Sequence, residues 1–559
     1  MGVTVTKLTA ANLIDTILRP IDIVSDTLER KLGLFSVVII SLSAMLGSGL
    51  FVLPALVMLD LGGGIPVAGI WLAYLIAALA IMPAACSKGE LSTAMPSSGG
   101  SYVYIERTFG PMVGTIAGIG LWSASMLKSA FALIGFKAYL WVLEELLGVS
   151  INLQHSALIL LALIVIINIL GVSRIKKVQT PIVLAVMIFM FALSIWAMLT
   201  MEMNWGVAFD KEAFGTSWED VAYASGVVFV AYAGVTKIAA VGGEIKNPSR
   251  NIPYGMILSL IIACILYVFL SIVMVASVDV TAYMNADGTA REDPLYVLSY
   301  AIGGSTMGVI AAVFAVTVLT ATALAGILAT SRFPFAMARD NLLPQSLENV
   351  HPKFKTPHLA IIGTGLAMAA SITFLPVHDV AKLASGFKII IFIVINACVI
   401  VLRNSSKSHT WYKPEWKSPL YPYMQILGII SGIILLIMMG SKAFIGGLCA
   451  IILGLAIYKT YGKGHINPEI TPWETFKLMI IKPDIVEKRR IFAAFHAADV
   501  DNNSSLNLRE FTSAISALGI DANERFALRE YFHQADKDSD GTIDIDEFCD
   551  FIGLIRESE

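Results

Sequence analysis

Asp536, Asp538 and Asp540 alternate along DKDSDGTIDIDE (536–547), and Gly541, Thr542, Asp544 and Glu547 follow them. Carboxylates at positions 1, 3 and 5 of a twelve-residue loop converge on one point if the chain turns sharply after them. Gly541, at position 6, permits that turn. Thr542 offers its carbonyl at 7, Asp544 stands at 9, and Glu547 closes the shell with both oxygens at 12. About seven oxygens in that order suit a hard cation, Ca²⁺. A second copy, DVDNNSSLNLRE (499–510), offers Asp499, Asp501, Asn503, Ser505, Asn507 and Glu510. Ser504 stands where the glycine belongs. A non-glycine residue with positive φ costs on the order of 1 kcal/mol, so this loop is expected to bind more weakly.

The runs RRIFAAFHAA, FTSAISAL, ERFALREYFHQA and FCDFIGLI flank these loops with helical apolar periodicity. Helix, loop and helix, twice over at this spacing, resembles the EF-hand pair of calmodulin-like proteins across about 486–556. The resemblance implies a small soluble helical domain, assigned to 486–559, with a strong Ca²⁺ site at 536–547 and a weaker one at 499–510.

A second chemistry lies far upstream. Two apolar runs are interrupted by small residues: SLSAMLGSGLFVLPA at Gly47, Ser48 and Gly49, and SGVVFVAYAGVTKIAAVGGE at Ala233 and Gly234. A helix unwound inside a membrane leaves backbone groups unpaired, which is tolerated only where they line a cavity. At Gly47, Ser48, Gly49 and Leu50 the freed N–H groups can hold a carboxylate, helped by the positive end of the next half-helix. From Val230 to Ala233 the freed carbonyls can accept from an ammonium. A site that binds both groups binds the zwitterionic head of an amino acid. Close packing of small residues is the other reading; matched breaks in two halves of a chain favour a transport site.

Composition says what must position these groups. Of 559 residues, 56% are hydrophobic and 14% charged, with a mean hydropathy of +0.75; soluble proteins carry about 25% charged residues. This excludes a disordered chain, a collagen-like chain and a single soluble globule, and leaves a polytopic membrane protein. The last 99 residues hold 11 Lys and Arg against 19 Asp and Glu, net −8, while the first 460 are net +5. An apolar body at 35–460 thus carries an acidic tail through a linker, 461–485. Twelve stretches reach the roughly 20 residues that a hydrocarbon core requires: 35–59, 65–86, 112–141, 156–172, 181–201, 220–241, 254–278, 305–330, 358–376, 380–402, 421–440 and 442–459. Loops after the even-numbered spans hold fifteen Lys and Arg, and the opposite loops clearly only Lys211 and Arg291. Both termini are therefore expected in the cytosol. The breaks fall in spans 1 and 6, so each opens one five-span half, and odd-numbered repeats are inverted. Residues 1–34 read as a cytosolic segment with an amphipathic helix at Leu13–Lys31. The five cysteines show no paired spacing, so neither a disulfide framework nor a zinc site is implied.

Four stretches then resemble the amino acid–polyamine–organocation (APC) transporter superfamily: MLGSGLFVLPA (45–55), GELSTAMPSSGGSYVYIERTFGP (89–111), FVAYAGVTKIAAVGGEIKNPSRNIP (229–253) and SRFPFAMARDNLLPQSLENVHPKFKTP (331–357). They run in family order over roughly 33–460. The resemblance implies an all-α, LeuT-like fold of twelve spans, with an inverted five-plus-five repeat, two peripheral spans and alternating access. It puts the substrate carboxylate at Ser48, Gly49 and Leu50 and the amino group near Val230 and Ala233. It builds the side-chain wall from Ala124, Ser125 and Ser129 and from Tyr232–Val235, Gly234 included. The chain also departs from the family. Val235 and Thr236 stand where many members have an aromatic residue and then an acid. Val186 stands where proton-coupled members often have a lysine.

Lys128 lies near the centre of span 3 and Lys237 in the inner half of span 6. An intramembrane lysine is by default a functional candidate. Lys128 is expected to stand in for a coupling cation, with snorkelling or carbonyl pairing as the structural alternative. Thr320 and Thr322 of span 8 are candidates for sodium, so H⁺ and Na⁺ both remain open. The spans hold almost no acid, which argues against a cationic substrate side chain and for a small or medium neutral one. The expectation is a multi-pass secondary transporter of amino acids, symport or antiport, in the cell membrane, regulated by cytosolic Ca²⁺. An amino acid sensor signalling through the tail and a proton-independent exchanger are the rivals. No nucleophile motif, P-loop or HExxH suggests an enzyme. Neither a nucleic-acid partner nor a disulfide-linked ancillary subunit is expected, and the oligomeric state is left open.

Overall fold

The computed structural model describes residues 32–65, 67–95, 100–147, 153–171, 175–214, 217–240, 242, 245–406, 409, 411–465, 471–481, 491, 494–496, 498–499, 503, 505–518 and 525–558. The expected helix at Leu13–Lys31 lies outside them. The chain divides into two compact units, Val24–Arg403 with Trp411–Pro468, and a second that includes Asn404–Thr410 and Glu469–Glu559.

The described residues of the first unit are helical, without strands. Among the described residues, eight helices are long and apolar enough to cross a membrane, and four more, Leu34–Met45, His155–Leu170, His358–Phe374 and Tyr423–Met438, are apolar but shorter. Helix starts follow local chemistry. Pro111, Pro248 and Pro294 open their helices, where a missing N–H costs nothing. Ser217 caps the helix Trp218–Tyr232 by accepting from the Asp220 N–H. The helix Pro294–Thr330 is bent at Gly303 and Gly304. Gly304 has φ 67°, a left-handed geometry that glycine adopts without steric cost, so the straight apolar part begins at 305, as the sequence suggests.

Burial sorts the helices. In Pro111–Val142 and Trp218–Ala239, 83% and 82% of the apolar window is buried, against 33% in Thr180–Thr200 and 22% in Ser441–Gly462. The first pair is the centre of the bundle. The second pair turns large apolar residues such as Ile188, Leu199, Phe444 and Ile452 outward, as a lipid-facing surface does. The loop that follows the helix Val377–Asn404 is tied to the bundle by Glu90. Its fully buried carboxylate accepts two bonds from Arg403 at 2.8 and 2.6 Å, one from the Tyr412 hydroxyl at 2.7 Å, and two from Ser418.

The second unit contains the helices Pro472–Ile481, Leu508–Leu518, Arg525–Ala535 and Ile545–Ser558. Phe495, Phe511, Phe548 and Phe551 fill its core. The two acidic loops are joined back to back: Leu506 and Ile543 exchange N–H···O bonds of 2.8 and 3.0 Å.

Candidate functional site

The first apolar run is broken where its sequence predicts. Leu34–Met45 ends, Gly47 takes φ −160° and ψ −129°, and short helices Ser48–Phe51 and Leu53–Leu61 continue. Ser48 and Gly49 keep N–H groups in a helical first turn, where donors have no intrahelical partner. The Leu50 N–H does not stay free for a carboxylate, because it donates to the Gly47 carbonyl at 3.0 Å. Of the expected carboxylate donors, Leu50 is therefore committed to closing its own turn.

Three tyrosines hold the carbonyls that this break releases. Tyr267 donates to the Met45 carbonyl at 2.7 Å, Tyr74 to Gly49 at 2.9 Å and Tyr139 to Phe51 at 2.7 Å. Each comes from a different helix and is buried. Sequence reasoning missed all three. A tyrosine in an apolar helix gives no spacing signal, and only the fold reveals which carbonyl its hydroxyl reaches.

The second break is milder than an unwound segment. The helix Trp218–Tyr232 passes into a 3₁₀ turn, Ala233–Thr236, and then a short helix, Lys237–Ala240. Lys128 Nζ donates to the Val230 carbonyl at 3.0 Å and to Ala231 at 3.3 Å. Of the two carbonyls singled out for a substrate ammonium, Val230 and Ala233, Val230 thus receives the Lys128 amine of the chain itself, and the second bond goes to Ala231 between them. Ser385, on the helix Val377–Asn404, accepts from the Val230 N–H at 2.9 Å and donates to the Val227 carbonyl at 2.8 Å. Ser385 was not singled out in the sequence.

The two breaks meet backbone to backbone. A β-carbon on Gly49 would lie 2.6 Å from the Ala231 Cβ, and one on Gly234 would lie 2.5 Å from the Ala44 carbonyl carbon. Both glycines are required by this crossing. Thr322 faces the break from the helix Pro294–Thr330: a β-carbon on Gly47 would lie 2.9 Å from its hydroxyl oxygen. That hydroxyl is buried and has no hydrogen-bond partner among the described residues. Ser129 is less available. It donates to its own helix at Ser125, 2.9 Å away, as membrane serines commonly do, and its side chain fills the notch at Gly326. Ser125 is half-buried on the same helix.

Interior charge is one-sided. Lys88, Lys128 and Lys388 are buried, and Lys237 is within electrostatic reach of both Lys128 and Lys388. Lys88 counts in the sequence among the loop cations after the second span, but it lies buried inside the helix Ile70–Ala94; Lys388 was not singled out in the sequence, where it sits in an apolar run without a motif. The buried carboxylates described in this unit are Glu90, held by Arg403, and Asp293, held bidentately by Arg291 at 2.8 Å.

In the tail the expected ligands converge. Carboxylate oxygens of Asp536, Asp538 and Asp540 lie within 4.8 Å of one another. Gly541 takes φ 87°, and its N–H and that of Asp540 donate to Asp536 at 3.1 Å. Glu547 reaches back across the loop to the N–H groups of Lys537, Asp538 and Asp544, and Asp544 accepts from the Glu547 N–H. Thr542 donates to Asp540. The Asp540 N–H pulls Asp538 downward, but desolvation and the charges of Asp540, Glu547 and Asp536 outweigh it, so Asp538 titrates above the ordinary aspartate value. A cation relieves that repulsion. In the earlier loop Asp499 accepts from Asn503, Asn503 from Ser505, and Asn507 from Glu510, while the Asn507 N–H donates to Glu510. Asp501 and Ser504 lie outside the described residues.

Comparison with known proteins agrees with both halves. The family described as "Amino acid permease" matches residues 32–456, and the EF-hand domain pair matches residues 488–553. A branched-chain amino acid permease of Bacillus subtilis is 27% identical over 456 residues, covering 78% of this chain and 94% of its own. A serine/threonine exchanger of the same organism is 27% identical, covering 72% and 89%. A vacuolar cationic amino acid transporter of Arabidopsis thaliana is 27% identical, covering 67% and 64%. The chain therefore belongs to the amino acid permease family of the APC superfamily and ends in an EF-hand pair, a module that suggests Ca²⁺ binding.

Proposed function

We propose that this chain is a secondary active transporter that carries amino acids across the cell membrane by alternating access, and that Ca²⁺ on its cytosolic tail adjusts the rate. The observation that carries the reading is the crossing of two broken helices at backbone contact, with Ser48 and Gly49 donors on one and the Val230 and Ala231 carbonyls on the other. Donors for a carboxylate and acceptors for an ammonium thus lie on two segments that touch at Gly49 and Ala231. In this reading eight long and four shorter apolar helices make twelve spans, the first ten form two inverted halves, and both termini are cytosolic.

The coupling ion is H⁺ on Lys128 or Na⁺ on Thr322, whose buried hydroxyl is without a partner among the described residues. The buried lysines argue against a cationic side chain, although one relative is named for such substrates. The neutral side chain expected from the sequence meets that condition, and so does an anionic one. The calcium limb of the proposal is supported by the EF-hand pair at residues 488–553. The test is uptake into proteoliposomes under imposed Na⁺ or H⁺ gradients with a panel of amino acids. Saturable uptake driven by one gradient supports the proposal; binding without flux makes the chain a sensor.

A further inference from the structure

We infer that the substrate is an amino acid with an acidic side chain, whose second carboxylate is received by Lys128 and Lys388. This rests on the amino acid transport reading above. Lys128 is buried at the bundle centre, and its ammonium occupies the Val230 and Ala231 carbonyls. Both lie in the Val230–Ala233 stretch whose carbonyls are expected to accept from a substrate ammonium. Two ammonium groups cannot share them, since like charges at contact repel strongly in a low-dielectric interior. A substrate that binds there displaces Lys128.

What surrounds the displaced lysine then decides the substrate class. Lys237 and Lys388 are within electrostatic reach of it. Lys388 lies three residues beyond Ser385, on the same helix face, and Ser385 bonds the second break at Val230 and Val227. Lys388 is buried, and no described residue forms an ion pair or hydrogen bond with its ammonium. The buried carboxylates described in this unit, Glu90 and Asp293, already serve Arg403 and Arg291. Among the described residues, the displaced Lys128 therefore meets more cations and no unpaired buried carboxylate. Burying an unpaired charge is expensive. A neutral amino acid leaves proton loss as the one relief, whereas an acidic amino acid brings a carboxylate with it. Its ammonium takes the two carbonyls, and its side-chain carboxylate takes the ammonium just displaced from them.

The test uses the full chain in proteoliposomes with L-glutamate, its isosteric amide L-glutamine, and neutral and cationic amino acids. The expected result is a preference for glutamate over glutamine of about tenfold or more, the worth of one charge-assisted hydrogen bond. The same preference should collapse toward one in Lys128→Gln and Lys388→Gln. Thermal stabilisation of the unaltered protein by glutamate over glutamine gives a second readout if those variants do not fold. Uptake of glutamine or another neutral amino acid as good as that of glutamate, with proton release or without it, overturns the inference and leaves the transport reading standing. A glutamate preference unmoved by Lys388→Gln overturns the assignment to these lysines. Flux of no amino acid overturns the transport reading itself.

Discussion

Gly49 has no room for a side chain. A β-carbon there would lie 2.6 Å from the Ala231 Cβ and 2.9 Å from its Cα, and the second contact is backbone that cannot swing aside. Gly49→Val should push the two breaks apart and reduce uptake by about tenfold or more, the cost of misplacing a site by an ångström. Gly33→Ala, with nothing within 4 Å of its β-carbon, should leave uptake unchanged. Comparing initial rates at equal reconstituted protein checks both. The glycines were legible in the sequence, with a transport site and close packing as the two readings; Gly49 and Gly234 serve a close crossing of two backbones, whose partners no one-dimensional pattern reports. Glu90 is a residue of another kind. It is fully buried and satisfies Arg403, Tyr412 and Ser418 at once. Removing one partner of a buried pair costs about 3–5 kcal/mol, so Glu90→Ala should lower the unfolding midpoint in detergent markedly, whereas exposed Glu415→Ala should not.

At the scale of elements, the EF-hand pair was the most legible part of the chain, because each candidate ligand sits at a fixed offset within twelve residues. Asp536, Asp538, Asp540 and Glu547 fold together as their spacing requires. The tyrosines that hold the first break were illegible, since Tyr74, Tyr139 and Tyr267 reach it from three separate helices. Glu547→Gln replaces one of the two closing oxygens by an NH₂ group and removes the carboxylate charge. Sensor loops have dissociation constants of about 10⁻⁷–10⁻⁵ M; across that range of internal free Ca²⁺ the variant should show a flattened uptake response with basal uptake kept. A wild type indistinguishable from the variant at every level would make the tail a structural or targeting module. The loop at His409 gives a pH prediction. Burial holds this imidazole below its ordinary value, so the folded state favours the neutral form. Its contribution is complete above the unfolded value of about 6.5 and is lost as pH falls below it. The thermal unfolding midpoint should therefore fall between pH 7.5 and pH 5.5 by more in the wild type than in His409→Gln.

At the scale of the whole molecule, hydropathy and the charge split set an apolar body apart from an acidic tail, and the chain forms two compact units, one of which contains Glu469–Glu559. One departure is informative. Asn404–Thr410 lies within the apolar half of the sequence yet belongs with the tail. Composition could not reveal this, because the segment is a short polar loop like any other between spans. Its neighbours His409 and Thr475 are 66 residues apart in the chain. The central claim is that an amino acid passes through the crossing of the two broken helices. Counterflow of labelled amino acid into proteoliposomes preloaded with the same unlabelled compound tests it most directly, because exchange needs no knowledge of the coupling ion. The account predicts transient accumulation of label by the wild type, absent in Gly49→Val protein that inserts and folds normally. Label that binds without accumulating, or that accumulates equally well in Gly49→Val, would contradict it.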